Sequence, residues 1–301
     1  MTYLLMASVI WAFSFGLIKN QLTGLDANVV SFLRLFISFL VFVPFLSLKK
    51  LKIKHLNTSI VFHLLAVGAI QFGLMYATYI YSFQFLKAYE VALFTILTPI
   101  YVTFVNDLIN RKGIDLVAAL SAVLAVLGAG FIVYKRLGDD LFVTGVLLVQ
   151  VSNICFAVGQ IYYRNLMQKL PQVSHSEVFA IPFLGGALIT LLFSFTTADW
   201  TTVVISSSQL FTIIYLGLIA SGVGFFLWNK GTLLVKTSTL AVMNNVKIPL
   251  AVLCAIFIFG EGTNWIRLLI GGGIMLFSVI ISDEEQMKKY KWWRKHNQPE
   301  V

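Results

Sequence analysis

The sequence predicts an all-α integral membrane protein with ten transmembrane helices arranged as two inverted five-helix repeats. Three observations carry this. Of 301 residues, 58% are apolar and 12% charged, against about 25% charged in a soluble domain; mean hydropathy is +0.87. Apolar stretches recur at about the 17–25 residues needed to cross a bilayer. The segments around Pro99 and Pro249 run parallel at an offset near 150 residues.

In chain order, spans are expected near 3–18, 28–47, 60–81, 89–108, 115–134, 144–163, 177–195, 209–229, 237–259 and 265–282. Only Met1 and Thr2 precede the first, so no charged leader region is expected. The connections are short and leave no room for a soluble domain. Residues 1–138 form the expected first repeat, 139–282 the second and 283–301 a basic, aromatic tail. Five spans per half is odd, so halves in series insert in opposite orientations. Cys155 and Cys254 lie inside apolar segments and read as packing residues.

Loop charges orient the chain. With both termini cytoplasmic, the inner loops hold Lys49, Lys50, Lys52, Lys54, Arg111, Lys112, Arg164, Lys169, Lys230 and Lys236. The tail adds Lys288, Lys289, Lys291, Arg294 and Lys295, against Lys19, Lys87, Lys135, Arg136 and Arg267 outside. That is a positive-inside bias, opposed only by Lys19 behind the first span. The net charge of +9 is thus spent on loops and tail, and no basic domain for nucleic acid exists. The tail reads as an interfacial anchor on anionic lipid.

Proline in a helix removes one backbone hydrogen bond and frees the carbonyl four residues earlier, Thr95 for Pro99 and Asn245 for Pro249. Freed backbone at membrane depth is tolerated only against protein or a watery cavity. Matched helix breaks in inverted halves point to a central substrate site.

Polar side chains inside the spans supply that site. Lys247 sits two residues before Pro249, with Asn244 one turn earlier and Asn245 beside it. An intramembrane cation costs about 2.5–3.5 kcal/mol on insertion scales and is expected to meet a substrate carboxylate or, structurally, a buried acid such as Glu90. Arg34 in span two either clamps a carboxylate or braces freed carbonyls. Gln150, Asn153 and Gln160 share a face of span six; Gln71 and Thr78, with Tyr76, lie on span three. Trp11, Ser14, Ser221 and Trp228 add to an aromatic cavity suited to a small ligand. Glu90 and Glu261 are candidates for proton coupling; for Glu261, near a span end, a solvated loop acid is the plainer reading. His63 reads as an interfacial histidine.

There is no G-x-x-x-x-G-K-[ST], H-E-x-x-H or G-x-S-x-G, so ATP hydrolysis and the commonest intramembrane hydrolases find no support. No cofactor or metal site is expected. An enzyme or a ligand-sensing receptor is disfavoured by the repeat.

Across both halves the chain resembles the drug/metabolite transporter superfamily, EamA type. The stretches are Ile10-Trp-Ala-Phe-Ser-Phe15, Gly68-Ala-Ile-Gln-Phe-Gly-Leu-Met-Tyr76 and Phe94-Thr-Ile-Leu-Thr-Pro-Ile-Tyr101. In the second half they are Leu147 to Ala157, Ala220 to Asn229 and Thr239 to Pro249. The closest resemblance is to the bacterial biotin transporter branch, which shares Trp11, Ser14, Arg34, Gln71, Tyr76, Glu90, Gln150, Asn153, Trp228, Asn244 and Asn245; Lys247 departs from it. The resemblance implies ten helices in inverted repeats, alternating access in a bacterial inner membrane, and biotin or a similar carboxylate as substrate. The rival it leaves open is export of amino acids or other metabolites. Neither direction, coupling ion nor monomer against homodimer is written in the residues.

Overall fold

The computed structural model describes residues 1–48, 57–109, 123–124, 127–128, 131, 139–235, 237–266, 268–274 and 277. Expected span five and the end of span ten fall largely outside these, and the tail entirely so. The described residues are helical, with no strand.

Helix α1 is Thr2–Gln21 and α2 is Ala27–Leu48. Helix α3, Thr58–Ser82, is interrupted by a π-helical stretch at Ala69–Leu74. Helix α4, Ala88–Ile109, carries a 3₁₀ turn at Thr95–Leu97. Then come α5, Asp140–Gln168, and α6, His175–Thr197. Helix α7, Ser207–Thr232, is π-helical over Leu216–Val223. Helix α8, Thr237–Leu253, ends in a π-helical turn, Cys254–Ile258. Seven of these are long and apolar enough to span a membrane, and α8 contributes a shorter apolar stretch, Met243–Ile258.

Side-chain caps fix where the helices start. Asp26 Oδ1 accepts from the amides of Asn28 (2.9 Å) and Val29 (3.0 Å) ahead of α2. Asn57 serves Ile60 (2.9 Å) and Asp139 serves Leu141 (3.1 Å) in the same way. Ser206 and Gln209 close a capping box on α7.

Polarity is inverted relative to a soluble protein. Phe62, Phe195, Phe211 and Phe257 are each at least 66% exposed, whereas Arg34, Gln71, Gln160, Asn229 and Asn244 are at most 1% exposed. Lipid solvates the first group, and the bundle interior satisfies the second. Between helices in lipid there is little hydrophobic drive, so close packing decides contact. Helices α3 and α6 touch backbone to backbone: a Cβ on Gly68 would come 1.7 Å from the Pro182 carbonyl oxygen, and one on Gly185 2.2 Å from that of Leu65.

The described connections gather at two ends. At one, Gln209 donates to Thr23 O (3.1 Å), Asn28 to Thr197 (3.1 Å), and Lys87 to Gly262 O (2.8 Å). At the other, Arg164 donates to Val235 O (2.8 Å), and Lys230 lies 4.9 Å from the Tyr3 ring. Helix α1 starts at this second end. The early turns of α5 lie against Phe85 and Leu86, at the first end. The two helices thus begin at opposite ends of the bundle.

Pro99 follows directly on the 3₁₀ turn, as helix interruption requires. Pro249 instead lies inside α8, which continues to Leu253; the expected break there is absent, and the departure from α-helix comes five residues later. Proline costs a helix one bond and some bending, and α8 absorbs both without unwinding.

Candidate functional site

A small cavity of about 60 Å³ lies between α1, α2, α3, α4, α5, α7 and α8. Six expected residues line it: Trp11, Ser14, Arg34, Tyr76, Asn153 and Lys247. Among the described residues, no lining side chain is acidic.

Lys247 is 7% exposed, and its ammonium sits 5.2 Å from the Trp11 ring, 5.2 Å from Phe156 and 5.9 Å from Trp228. Ring faces attract a cation, by about 2 kcal/mol or more when desolvated, but they leave its N–H donors unspent. It forms no ion pair with Glu90. That carboxylate is buried in the first turn of α4, where Oε2 accepts from Lys87 N at 2.9 Å. Glu261 acts alongside it: Oε1 and Oε2 accept from Ala88 N (2.8 Å) and Tyr89 N (3.0 Å). An anion at a helix N-terminus meets free amides and the positive end of the dipole, so both acids close the start of α4 rather than face the cavity.

Arg34 is held differently. Nε donates to Ser221 Oγ (3.3 Å), one terminal nitrogen donates to Tyr76 OH (2.7 Å), and the guanidinium stacks 4.5 Å from the Tyr76 ring. The other terminal nitrogen, Nη1, is buried without a hydrogen-bond partner. With one N–H of Nε and one of Nη2 engaged, both Nη1 hydrogens and the second Nη2 hydrogen remain for an incoming group. Arg34 bonds no freed carbonyl, the other role open to it.

Asn153 performs the bracing instead. Its Nδ2 donates to Phe94 O at 3.0 Å, just before the 3₁₀ turn, and its Oδ1 accepts from Thr98 (3.2 Å). The Thr95 carbonyl accepts from Thr98 Oγ1 at 2.6 Å. Gln150 stands behind Asn153, accepting from Asn153 Nδ2 (3.1 Å) and Tyr101 OH (3.2 Å), outside the lining.

Other expected contacts lie a layer back. Gln71 and Asn229 exchange two amide hydrogen bonds, 2.9 and 3.3 Å, and tie α3 to α7. Trp228 is fully buried, donates to Gln160 (3.0 Å), and supports Trp11 at 5.0 Å. Asn244 donates to Leu240 O (2.8 Å); its Oδ1 and both amide atoms of Asn245 are buried without a hydrogen-bond partner, and neither residue lines the cavity. His63 bonds Ser59 O and stacks on Tyr162, outside the cavity lining.

Sequence reasoning missed Phe156, Phe225, Met75, Ser152 and Thr98 as wall residues. Phe156 lies three residues after Asn153 on α5, so helical spacing from the polar face was the available signal. Phe225 had none, being one phenylalanine among 26.

The EamA-like transporter family matches residues 1–134 and again 143–282. The chain belongs to that family. It is 35% identical to the "Biotin transporter" of Escherichia coli (strain K12) over 280 residues, 93% of this chain and 91% of the relative. The same figures hold for the "Biotin transporter" of Salmonella typhimurium. Identity is again 35% to the "Probable biotin transporter" of Pseudomonas aeruginosa, covering 94% and 97% of the two chains. A solved crystal structure 15% identical superimposes with a TM-score of 0.67 over 93% of this chain and 96% of its own, and shares the fold. The chain is therefore a multi-pass membrane transporter rather than an enzyme.

Proposed function

We propose that this transporter imports biotin by alternating access between two inverted five-helix halves, residues 1–138 and 139–282, in a bacterial inner membrane with both termini cytoplasmic. The observation that carries the substrate reading is the buried Lys247 ammonium, aimed among aromatic rings and without a hydrogen-bond or ion-pair partner among the described residues. Uncompensated, such a charge is costly; a monocarboxylate arriving in the cavity compensates it. Biotin also brings an apolar ring and chain, for which Trp11, Phe156, Phe225 and Tyr76 form walls, and a ureido group. Arg34 Nη1 and the Thr95, Thr98, Ser152 and Asn153 side of the cavity suit that group's acceptor and donors. Relatives named as biotin transporters at 35% identity over nearly the whole chain support the same reading.

The inverted arrangement is supported by the doubled family match and by α1 and α5 starting at opposite ends of the bundle. The cytoplasmic termini are supported by the excess of Lys and Arg in the connections of one end.

The test is uptake of labelled biotin by a biotin-auxotrophic bacterium lacking its own transporter. Saturable uptake competed by unlabelled biotin is expected; none, with protein verified in the membrane, would redirect the reading to export of amino acids or other metabolites.

A further inference from the structure

A second chamber lies at the end that carries the α1–α2 connection, lined by Ile18, Lys19, Asp26, Val30, Ile80 and Phe83 among others. Its walls continue those of the central cavity by about one helical turn. Along α1, Ser14 and Phe15 give way to Ile18 and Lys19; along α2, Arg34 to Val30; along α3, Tyr76 and Tyr79 to Ile80 and Phe83. Three rings stand at the junction. Phe15 and Tyr79 line the inner cavity, Phe83 lines the outer chamber, and their centroids are 5.7, 6.5 and 5.1 Å apart pairwise. The Lys19 ammonium donates to the Phe83 carbonyl oxygen, pinning the end of α1 to the end of α3.

We infer that this outer chamber is the port through which substrate reaches Lys247, and that Phe15, Tyr79 and Phe83 are the layer it must displace. The opposite end is closed more deeply. There Phe42, Phe72, Phe179, Phe183 and Phe226 pack in a contiguous cluster, with His175 bonded to Phe226 O at 3.2 Å. Five phenylalanines pack there, against three rings at the outer chamber. The ligand class the port admits is a small anion with an apolar body. Its wall carries one cation, Lys19, and one carboxylate, Asp26, whose charge is offset by the first amides and the positive end of the α2 dipole that it caps. An anionic group reaching Lys19 competes with the Phe83 carbonyl for the ammonium, which loosens the α1–α3 pin as substrate arrives.

The port rests on the proposed orientation for its sidedness and on the biotin reading only for the identity of what passes. In a Cys155→Ser/Cys254→Ser background, the Ser14→Cys variant is treated with an anionic, membrane-impermeant thiol reagent added outside intact cells. Modification is expected to be slow and to quicken about tenfold on adding Phe83→Ala, the effect of lowering a barrier by about 1.4 kcal/mol. Phe83→Leu, which keeps the packing volume, is expected to fall between. An unchanged rate in both variants, or modification only from the cytoplasmic side in a protein whose 23–25 turn is shown by a reporter tag to face outside, overturns the port. Faster labelling that excess biotin does not block keeps the port and removes biotin as its substrate, so the two readings fail separately.

Discussion

Lys247 and Gln71 were both polar residues inside apolar runs, and the structure gives them opposite tasks. Lys247 keeps its donors for something that enters; Gln71 spends its amide on Asn229. Replacing Lys247 with methionine is expected to raise the KM for biotin about 30-fold or more, as losing one partner of a buried charge contact costs about 2 kcal/mol or more. The same variant is expected to unfold in detergent at an equal or higher temperature, because an uncompensated buried charge has been removed. A large fall in melting temperature would show that the ammonium is paired for structure. Gln71→Leu is expected to destabilise by about 1 kcal/mol, the range of interhelical hydrogen bonds in lipid, because Asn229 is left unsatisfied. Gln71→Leu/Asn229→Leu should recover much of that loss in the same melting experiment. Residue type alone could not separate these cases, since partner choice depends on which helices face each other.

At the scale of the helices, span positions were legible because apolar length and bilayer thickness are tied together. The observed helices exceed the expected spans by a few residues where caps such as Asp26 and Asp139 lie beyond the apolar core. What was not legible is the role of Glu261, which closes the start of α4 from a connection more than 170 residues away. Glu261→Ala is expected to lower stability by about 0.5–2 kcal/mol, as for loss of a helix cap, read as a melting shift in detergent. If it instead abolishes uptake without a melting shift, the carboxylate acts in transport. The α3–α6 crossing makes a sharper demand. Gly68→Ala places a methyl group 1.7 Å from the Pro182 carbonyl oxygen and should prevent accumulation of folded protein, whereas Gly272→Ala, with nothing within 4 Å among the described residues, should be tolerated. Monodispersity on size exclusion after extraction distinguishes the two.

For the whole molecule, composition alone implied lipid as solvent, and the exposed phenylalanines with buried amides agree with it. Reporter tags at the two termini are expected to report the cytoplasmic side, and a tag in the Thr23–Leu25 turn the opposite side. The mirror-image result reverses the port together with the orientation, and termini on opposite sides would overturn the ten-span count. Membrane residence, the span positions in the described residues and the membership of a transporter family could be read from residues in order, because hydropathy and helix length are local properties that a bilayer selects directly. Which polar side chains converge was decided only in three dimensions. Six expected residues reach the cavity, while Gln71, Gln150, Trp228, Asn244, Asn245 and Glu90 lie outside its lining. The physical reason is that one helix turn has about 100° between successive residues, so the use of each polar group depends on rotations and close approaches fixed by packing between distant helices.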